Sequence, residues 1–439
     1  MFHSRLVLFI GFAFAVMADP VSSVAYAIEA ALRALGGDLS LLVVTMVVVV
    51  GIIGVVVVNY QQIVARYPHG GGAATAAHEA FGPAWTFLPL GALIVDFVLT
   101  ISISVAAAAS ALIAYVPAVA PARIPIALAL LALVAGLSWF GHGGRVVFAT
   151  MTIAFLSVTL VLIAAAWTTP GPAVAPAPSV PADLGSALTV LIAFPVAMAL
   201  ATGVEAPSSA IAQLGQLDDD GRRAFGRWTL WFTLFIVGGV TLALAGAATR
   251  LGVGIPPPDS TQLAELARAA APRPVFALFQ LTSAVLLLAA ASSSFQAGPG
   301  LLKALAGSGS SASVLPAALG RVNQHHTPFT GVLVFLAAAA AVVVAAGAQD
   351  QALVLFYAVS VFISFCVGLV SMARIDGREG RRRRQAANAF GLVLVAFTLL
   401  ANLLRGLPIV SLAASLALSA VLYRLWVRAG RPQALDIPD

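Results

Sequence analysis

The chain has 439 residues, of which 61% are hydrophobic and 9% are charged. Soluble domains carry about 25% charged residues, so the composition excludes a soluble globular protein. The net charge is +6, and Cys366 is the single cysteine, which excludes an intrachain disulfide.

Apolar runs long enough to cross a bilayer recur along the whole chain. A transmembrane helix needs about 20 predominantly apolar residues, so these runs leave little chain for a soluble domain. They predict an all-α polytopic membrane protein with about 12 transmembrane helices. The runs cover roughly residues 6–30, 40–60, 84–115, 124–140, 146–167, 184–206, 228–249, 275–300, 329–347, 351–373, 388–404 and 408–427.

The first run is interrupted in its middle by an acid and a proline. Asp19 precedes Pro20, and Ser22 and Ser23 follow. Proline removes a backbone donor and disfavours helical geometry in the preceding residue, so we expect the first transmembrane helix to be broken here. A charged side chain at the bilayer centre costs about 2.5–3.5 kcal/mol. Asp19 should therefore face water, a proton or a cation inside the protein.

The third run carries three oxygen-bearing side chains at intervals of four residues. Asp96, Thr100 and Ser104 share one helical face because the helix repeats every 3.6 residues. Such a stripe of oxygen ligands suits a dehydrated cation. Either hydroxyl alone could instead bond its own helix backbone, but the carboxylate of Asp96 has no such partner.

The sixth run repeats the interruption seen in the first. Pro195 and Pro207 bracket the fragment ATGVEA, which has Gly203 in its middle and Glu205 near its end. Interrupted helices at corresponding positions of two halves indicate an inverted-repeat transporter. The alternative is that these prolines only kink ordinary spans. Desolvation or a bound cation would shift the proton affinity of a carboxyl group in such a break, which makes Glu205 a proton-coupling candidate.

A stretch rich in proline and alanine at 169–185 separates five runs from the rest and divides the chain. We expect one transporter domain over 1–439, with a first repeat at about 1–168 and a second at about 183–375. Two further helices should follow at about 387–428.

Positive charge is distributed unevenly between alternate loops. If the N-terminus is cytoplasmic, 17 of the 23 Lys and Arg residues fall in cytoplasmic loops. The positive-inside rule then places both termini in the cytoplasm of a multi-pass plasma-membrane protein. We interpret the run Arg381–Arg384 as a topology anchor, and we expect no nucleic-acid partner.

Four fragments together resemble one family of transporters. They are ADPVSSVAYAIEA (18–30), YPHGGGA (67–73), IVDFVLTISIS (94–104) and ATGVEAPSS (201–209). They are similar to motifs of KUP-type potassium–proton symporters, a branch of the amino acid–polyamine–organocation superfamily, and the resemblance spans roughly residues 8–375. It implies a LeuT-like fold of five plus five helices in inverted repeat, with helices 1 and 6 broken and two helices appended.

The resemblance also implies roles for individual residues. Glu205 would be the proton-linked acid, and Asp19 and Asp96 would be the carboxylate ligands of a potassium ion. Phe97 stands where those symporters carry tyrosine. The remaining implied substrate ligands are Tyr26, Thr100, Ser104, Thr202 and Tyr357, with Pro20, Ser22, Ser23 and Gly203 forming the backbone of the breaks.

Electrostatic repulsion from Asp19 distinguishes the candidate substrates. Two like charges about 4 Å apart repel by about 4 kcal/mol at an effective dielectric near 20, so an ionised Asp19 disfavours a substrate carboxylate. Potassium is the first candidate, and a cationic amine or polyamine and a neutral amino acid stay open. We expect proton coupling, no organic cofactor and no enzymatic activity, since no catalytic motif is present. The expected partners are the small substrate and the lipid bilayer, and a homodimer is left open.

Overall fold

The computed structural model describes residues 2–141, 144–172, 181, 183–307 and 313–432. These residues form α-helices, short 3₁₀ turns and loops, and no β-strand. The helices, in chain order, are α1 (Phe2–Val16), α2 (Ala18–Ser22), α3 (Val24–Ala34), α4 (Leu42–Arg66), α5 (Gly72–Phe81), α6 (Phe87–Tyr115), α7 (Arg123–Trp139), α8 (Arg145–Thr168), α9 (Leu184–Ala197), α10 (Ala206–Ala210), α11 (Asp219–Leu251), α12 (Gln262–Ala270), α13 (Arg273–Ala306), α14 (Phe329–Ala345), α15 (Asp350–Arg378), α16 (Arg382–Leu403) and α17 (Ile409–Arg428).

The described helices confirm the predicted all-α membrane class. Ten segments are long and apolar enough to cross a bilayer, and the shorter helices Arg5–Val16 and Phe329–Ala345 are also apolar. Each of the 12 predicted runs coincides with one of these segments or with the first span, α1 to α3. Helices are the expected solution because lipid offers no partner to unpaired backbone groups. The five-plus-five arrangement and its two repeats stay a prediction.

One helix forms the centre of the bundle. In α6 the most apolar window is 83% buried within the protein, whereas the corresponding windows of α7, α16 and α17 are 28% buried. Helix α6 packs against α13, α15 and α17. The polar stripe of the third run therefore lies inside the protein and not against lipid.

The first span is interrupted at Met17 and Ser23 but stays largely helical, which differs from the break expected at Pro20. Met17 and Ser23 are the non-helical residues between α1 and α3, and their backbone angles are near-helical: φ −80°, ψ 0° and φ −64°, ψ −23°. The amide of Ser23 still donates to the carbonyl of Asp19 at 3.3 Å. Proline fits because its fixed φ of about −65° is helical, so its main effect is to leave the carbonyl of Val16 without a helical donor.

The sixth span does unwind. Helix α9 ends at Ala197, and one 3₁₀ turn follows at Met198–Ala201. Thr202 is then extended, with ψ 140°, and Gly203 has φ +79° before α10 begins. Glycine populates positive φ readily because it has no Cβ, so this residue permits the break.

Two segments between the predicted apolar runs contain short helices. Helix α5 lies between the second and third spans, and α12 lies in the segment 250–274. The side chain of Thr261 caps α12 by accepting from the amide of Ala264 at 3.2 Å. Both helices are too short to span a bilayer, so the pattern of apolar runs did not reveal them.

Candidate substrate site

The two interrupted spans meet at Asp19 and Gly203. A Cβ atom at position 203 would lie 2.7 Å from Asp19 Oδ2 and 2.7 Å from Cδ of Pro20. The close approach therefore requires glycine. Asp19 Oδ1 is buried and has no hydrogen-bond partner among the described residues. The carboxylate is thus held against the unwound backbone with one oxygen free.

Three hydroxyl groups connect the same two spans. Ser23 Oγ lies 2.9 Å from Tyr26 Oη and 2.9 Å from Thr202 Oγ1. Thr202 donates its single hydroxyl proton to the carbonyl of Ala199 at 2.8 Å, so the hydroxyl of Ser23 donates to Thr202 and the phenol of Tyr26 donates to Ser23. With its proton engaged, the phenol oxygen of Tyr26 retains lone pairs for a ligand.

Helices α6 and α15 form a second polar wall. Thr100 donates to the phenol oxygen of Tyr357 at 2.9 Å. Ser360 lies 3.4 Å from Asp96 Oδ1 and also donates to the carbonyl of Tyr357 at 3.1 Å. The ring of Tyr357 meets the ring of Tyr26 edge to face, with centroids 6.3 Å apart. This contact joins the two walls, and the polar region between them is called the hollow below.

The remaining serines of the predicted set differ in their environment. Ser104 is 1% exposed, and its hydroxyl has no hydrogen-bond partner among the described residues. Ser22 instead donates to the carbonyl of Asp19 at 2.7 Å. Ser104 thus has an oxygen atom free to bind a ligand, one turn beyond Thr100. The hydroxyl proton of Ser22 instead makes a hydrogen bond to the backbone of its own helix.

Glu205 lies at the N-terminus of α10, on the other side of the break from Thr202. Its Oε2 atom is buried without a hydrogen-bond partner among the described residues. The charge of Asp19 acts on both Asp96 and Glu205, and the charge of Glu205 acts on Asp96. Within the described chain no Lys, Arg or His forms an ion pair with any of these three carboxylates. Their mutual repulsion is relieved by a proton or a cation.

Sequence reasoning missed the hydroxyl of Ser360, which contacts Asp96. Its signal was present, because Ser360 follows Tyr357 by three residues and so shares its helical face. Phe97 packs edge to face on Phe335, with centroids 6.4 Å apart, in an apolar cluster with α14. Its ring therefore packs against α14.

Bilayer-spanning helices around buried carboxyl and hydroxyl groups define a polytopic membrane protein with a polar centre. The comparison with family models identifies the particular group. The model of the family described as "Amino acid permease" matches residues 9–424, so the chain belongs to that family.

The potassium transporter KimA of Bacillus subtilis (strain 168) is a curated relative. It is 28% identical over 327 residues, which are 72% of this chain and 52% of that protein. The chain thus spans about half the length of this relative.

Solved structures support the fold alone. Two crystal structures of mutants of the Eremococcus coleocola manganese transporter match with TM-scores of 0.51 and 0.50, at 15% and 14% identity. In both cases the match covers 97% of this chain and 95% of the other.

Proposed function

We propose that this protein is a secondary active transporter that takes up potassium across the cell membrane by alternating access, coupled to protons. The observation that carries the proposal is the pair Asp19 and Asp96, which line a hydroxyl-rich hollow and have no basic partner among the described residues. A buried negative charge without a counter-charge is costly, so a cation stabilises the hollow. The Bacillus relative is named as a potassium transporter, which supports potassium as the substrate.

The hollow offers a dehydrated cation a set of oxygen ligands in place of water. Asp19 and Asp96 supply the compensating charge from the first and third spans. Because Asp19 bridges the kinked first span and the unwound sixth span, a bound cation would tie the two together. The proposed neutral ligands are Tyr26, Thr100, Ser104, Thr202 and Tyr357.

Glu205 is the proposed proton carrier. Its unpartnered oxygen lies in the segment that unwinds, and the charge of Asp19 acts on it. A proton on Glu205 lowers the repulsion among the three carboxylates because it removes one negative charge. A cation between the aspartates lowers the same repulsion because it adds a positive charge. The occupancy of the hollow and the protonation of Glu205 are therefore linked. The charge asymmetry of the loops supports cytoplasmic termini.

Flux through proteoliposomes tests this proposal. We expect purified protein to take up rubidium, a tracer for potassium, several-fold faster when an inward proton gradient is imposed. The Glu205→Gln variant should lose the dependence on the gradient. Uptake that is fast and indifferent to the gradient in the unmodified protein would indicate a channel and contradict the proposal.

A second candidate substrate class is favoured by the family description, which is that of an amino acid permease. A neutral amino acid would place its carboxylate near Asp19, whereas an amine or polyamine would gain from both aspartates. Labelled alanine and labelled putrescine in the same proteoliposomes separate these alternatives. Saturable uptake of alanine or putrescine, without uptake of rubidium, would show that the substrate is that compound and not potassium.

A further inference from the structure

Helix α16 places a buried amide side chain against the sixth span. This helix faces lipid over most of its length, since its most apolar window is only 28% buried within the protein. Asn402, near its C-terminal end, is nevertheless 1% exposed. Polar side chains in membrane helices face the interior of the bundle and bond across helices, because lipid offers them no partner. We therefore expect Asn402 to have a specific partner in a neighbouring span.

The partner of Asn402 is a backbone carbonyl in the last turn of α9. Asn402 Nδ2 donates to the carbonyl of Pro195 at 2.8 Å. Helix α9 ends at Ala197, and the amide of the next residue, Met198, donates to the carbonyl of Phe194. The last carbonyls of an α-helix have no donor within that helix. Asn402 thus satisfies a carbonyl that the end of the helix leaves open.

Two further contacts hold α16 against α9. The rings of Phe397 and Phe194 are stacked, with centroids 6.0 Å apart. Arg405 Nη2 donates to the carbonyl of Ile192, one turn before Pro195. Because the helix repeats every 3.6 residues, the carbonyls of Ile192 and Pro195 lie along one side of α9. The contact at Pro195 therefore belongs to a packed seam between the two helices.

A short, buried stretch of backbone connects this seam with the proposed site. Residues 198–201 form the 3₁₀ turn, and all four are fully buried. The hydroxyl of Thr202 donates back to the carbonyl of Ala199 at 2.8 Å, and Ser23 contacts Thr202 at 2.9 Å. A shift in the point at which α9 ends therefore moves Thr202 relative to the first span.

We propose that Asn402 is a positioning residue that fixes where the sixth span unwinds, and with it the place of Thr202. Without the amide of Asn402, the carbonyl of Pro195 is a buried acceptor without a partner, which is costly. A continued α-helix would supply the amide of Ala199, four residues later, as the donor. The end of α9 then interconverts between positions, and Thr202 is no longer held in one place.

Hydrogen–deuterium exchange of the full chain in lipid nanodiscs tests this positioning without transport. The variant Asn402→Leu keeps the approximate size of the side chain and removes the donor. We expect the amides of 198–206 to exchange at least about tenfold faster in this variant, because the break opens locally more often. The other spans should be unchanged.

The matched control is Thr398→Val, one turn earlier on α16. Thr398 is 0% exposed, and its hydroxyl donates to the carbonyl of Leu394 in its own helix. This substitution therefore removes a buried hydroxyl from the same helix without changing a bond to α9. We expect exchange in 198–206 to stay as in the unmodified protein.

Uptake separates a positioning role from a purely stabilising one, and this measurement rests on the proposed function. Asn402→Leu should raise the apparent KM for rubidium about tenfold, as expected for loss of one buried hydrogen bond, and leave the maximal rate within about threefold. Thr398→Val should change neither. Because Asn402 acts through Thr202, adding Asn402→Leu to Thr202→Val should weaken the affinity further by less than about twofold.

The two proposals fail separately, since exchange is measured whether or not rubidium is transported. The positioning role is overturned if exchange in 198–206 is unchanged in Asn402→Leu, if Thr398→Val has an equal effect, or if the double variant shows the full additional loss of affinity. Asn402→Ala, which removes the donor without adding an apolar group, should reproduce the exchange result. Failure of both Asn402 variants to fold would also overturn the proposal, because the amide would then stabilise the whole bundle and not one break.

Discussion

The first and sixth spans carry similar proline-containing interruptions, yet they differ in the structure. The first span keeps near-helical geometry through Pro20, whereas the sixth loses its helix at Thr202 and Gly203. Proline with an acid in front of it is therefore compatible with a helix, and a glycine at positive φ is what opens one. The two spans therefore have different roles at the site. The first presents the carboxylate of Asp19 from a helix, and the second supplies the irregular backbone against which it lies.

The largest expected effect comes from removing the charge of Asp19. Asp19→Asn keeps the shape of the side chain but leaves a bound cation without one of its two counter-charges. We expect uptake of rubidium in proteoliposomes to fall at least about 100-fold, since losing one partner of a buried charge pair costs about 3–5 kcal/mol. Asp220→Asn is the matched control, because the Asp220 side chain is 89% exposed in its pair with Arg223. Near-normal uptake by Asp19→Asn would remove this residue from the site.

Closing the break in the sixth span should have the next largest effect. Gly203→Ala introduces a Cβ that would collide with Asp19 and Pro20, at a backbone φ that favours glycine. A non-glycine residue in this left-handed region costs about 1–2 kcal/mol before the collision is counted. We expect at least about a tenfold loss of uptake.

The control for that change is Gly239→Ala in α11. A Cβ at this position meets no atom within 4 Å, and we expect uptake to stay normal. If Gly203→Ala transports as well as Gly239→Ala, the close approach of the two spans is not needed for transport.

The hydroxyl chain between the spans should matter less than the charge. Thr202→Val keeps the size of the side chain and removes the acceptor for the hydroxyl of Ser23. An unsatisfied buried hydroxyl costs about 1–3 kcal/mol, so we expect the apparent affinity for rubidium to weaken about tenfold. Ser22→Ala is the neighbouring control, because its hydroxyl bonds the helix backbone; a change below about twofold is expected. Equal effects of the two substitutions would argue against a special role for Thr202.

The smallest effect is expected from replacing Pro20 in the first span. Pro20→Ala restores an amide that can donate to the carbonyl of Val16, and alanine is more favourable than proline in a helix interior by about 3 kcal/mol. We expect a higher melting temperature and uptake within about threefold of normal. Loss of transport in a protein with a higher melting temperature would show that Pro20 is required for transport. An interrupted helix would then be needed in the first span as well as in the sixth.

The sequence was most informative about acidic residues within the spans, because such residues are rare in an apolar chain. Asp19, Asp96 and Glu205 were conspicuous because charges in membrane spans are costly, and the long apolar runs sufficed to predict the helices. Patterning could not distinguish a nearly continuous helix from an unwound one, since DPVSS around Pro20 and EAPSS around Pro207 look alike in sequence and the deciding factor is the positive φ of Gly203. Partners distant along the chain were also hidden, as with Ser360 beside Asp96.

Glu29 shows a second limit of sequence reading. A charged side chain near the end of a span is ordinarily solvated, yet Glu29 is 3% exposed because α12 covers it with the amide of Gln262. The helix that covers it belongs to a segment more than 200 residues later, which no local pattern could reveal. Burial of a charge at a span end depends on such tertiary packing.

The most direct test of the central hollow is the location of a bound cation by anomalous scattering from crystals grown in rubidium. A rubidium peak should lie between the carboxylates of Asp19 and Asp96, in contact with the phenol oxygen of Tyr26 or Tyr357, and it should disappear in Asp19→Asn. The account is contradicted if rubidium at concentrations that saturate uptake leaves this hollow without a peak, or if the peak persists unchanged in that variant.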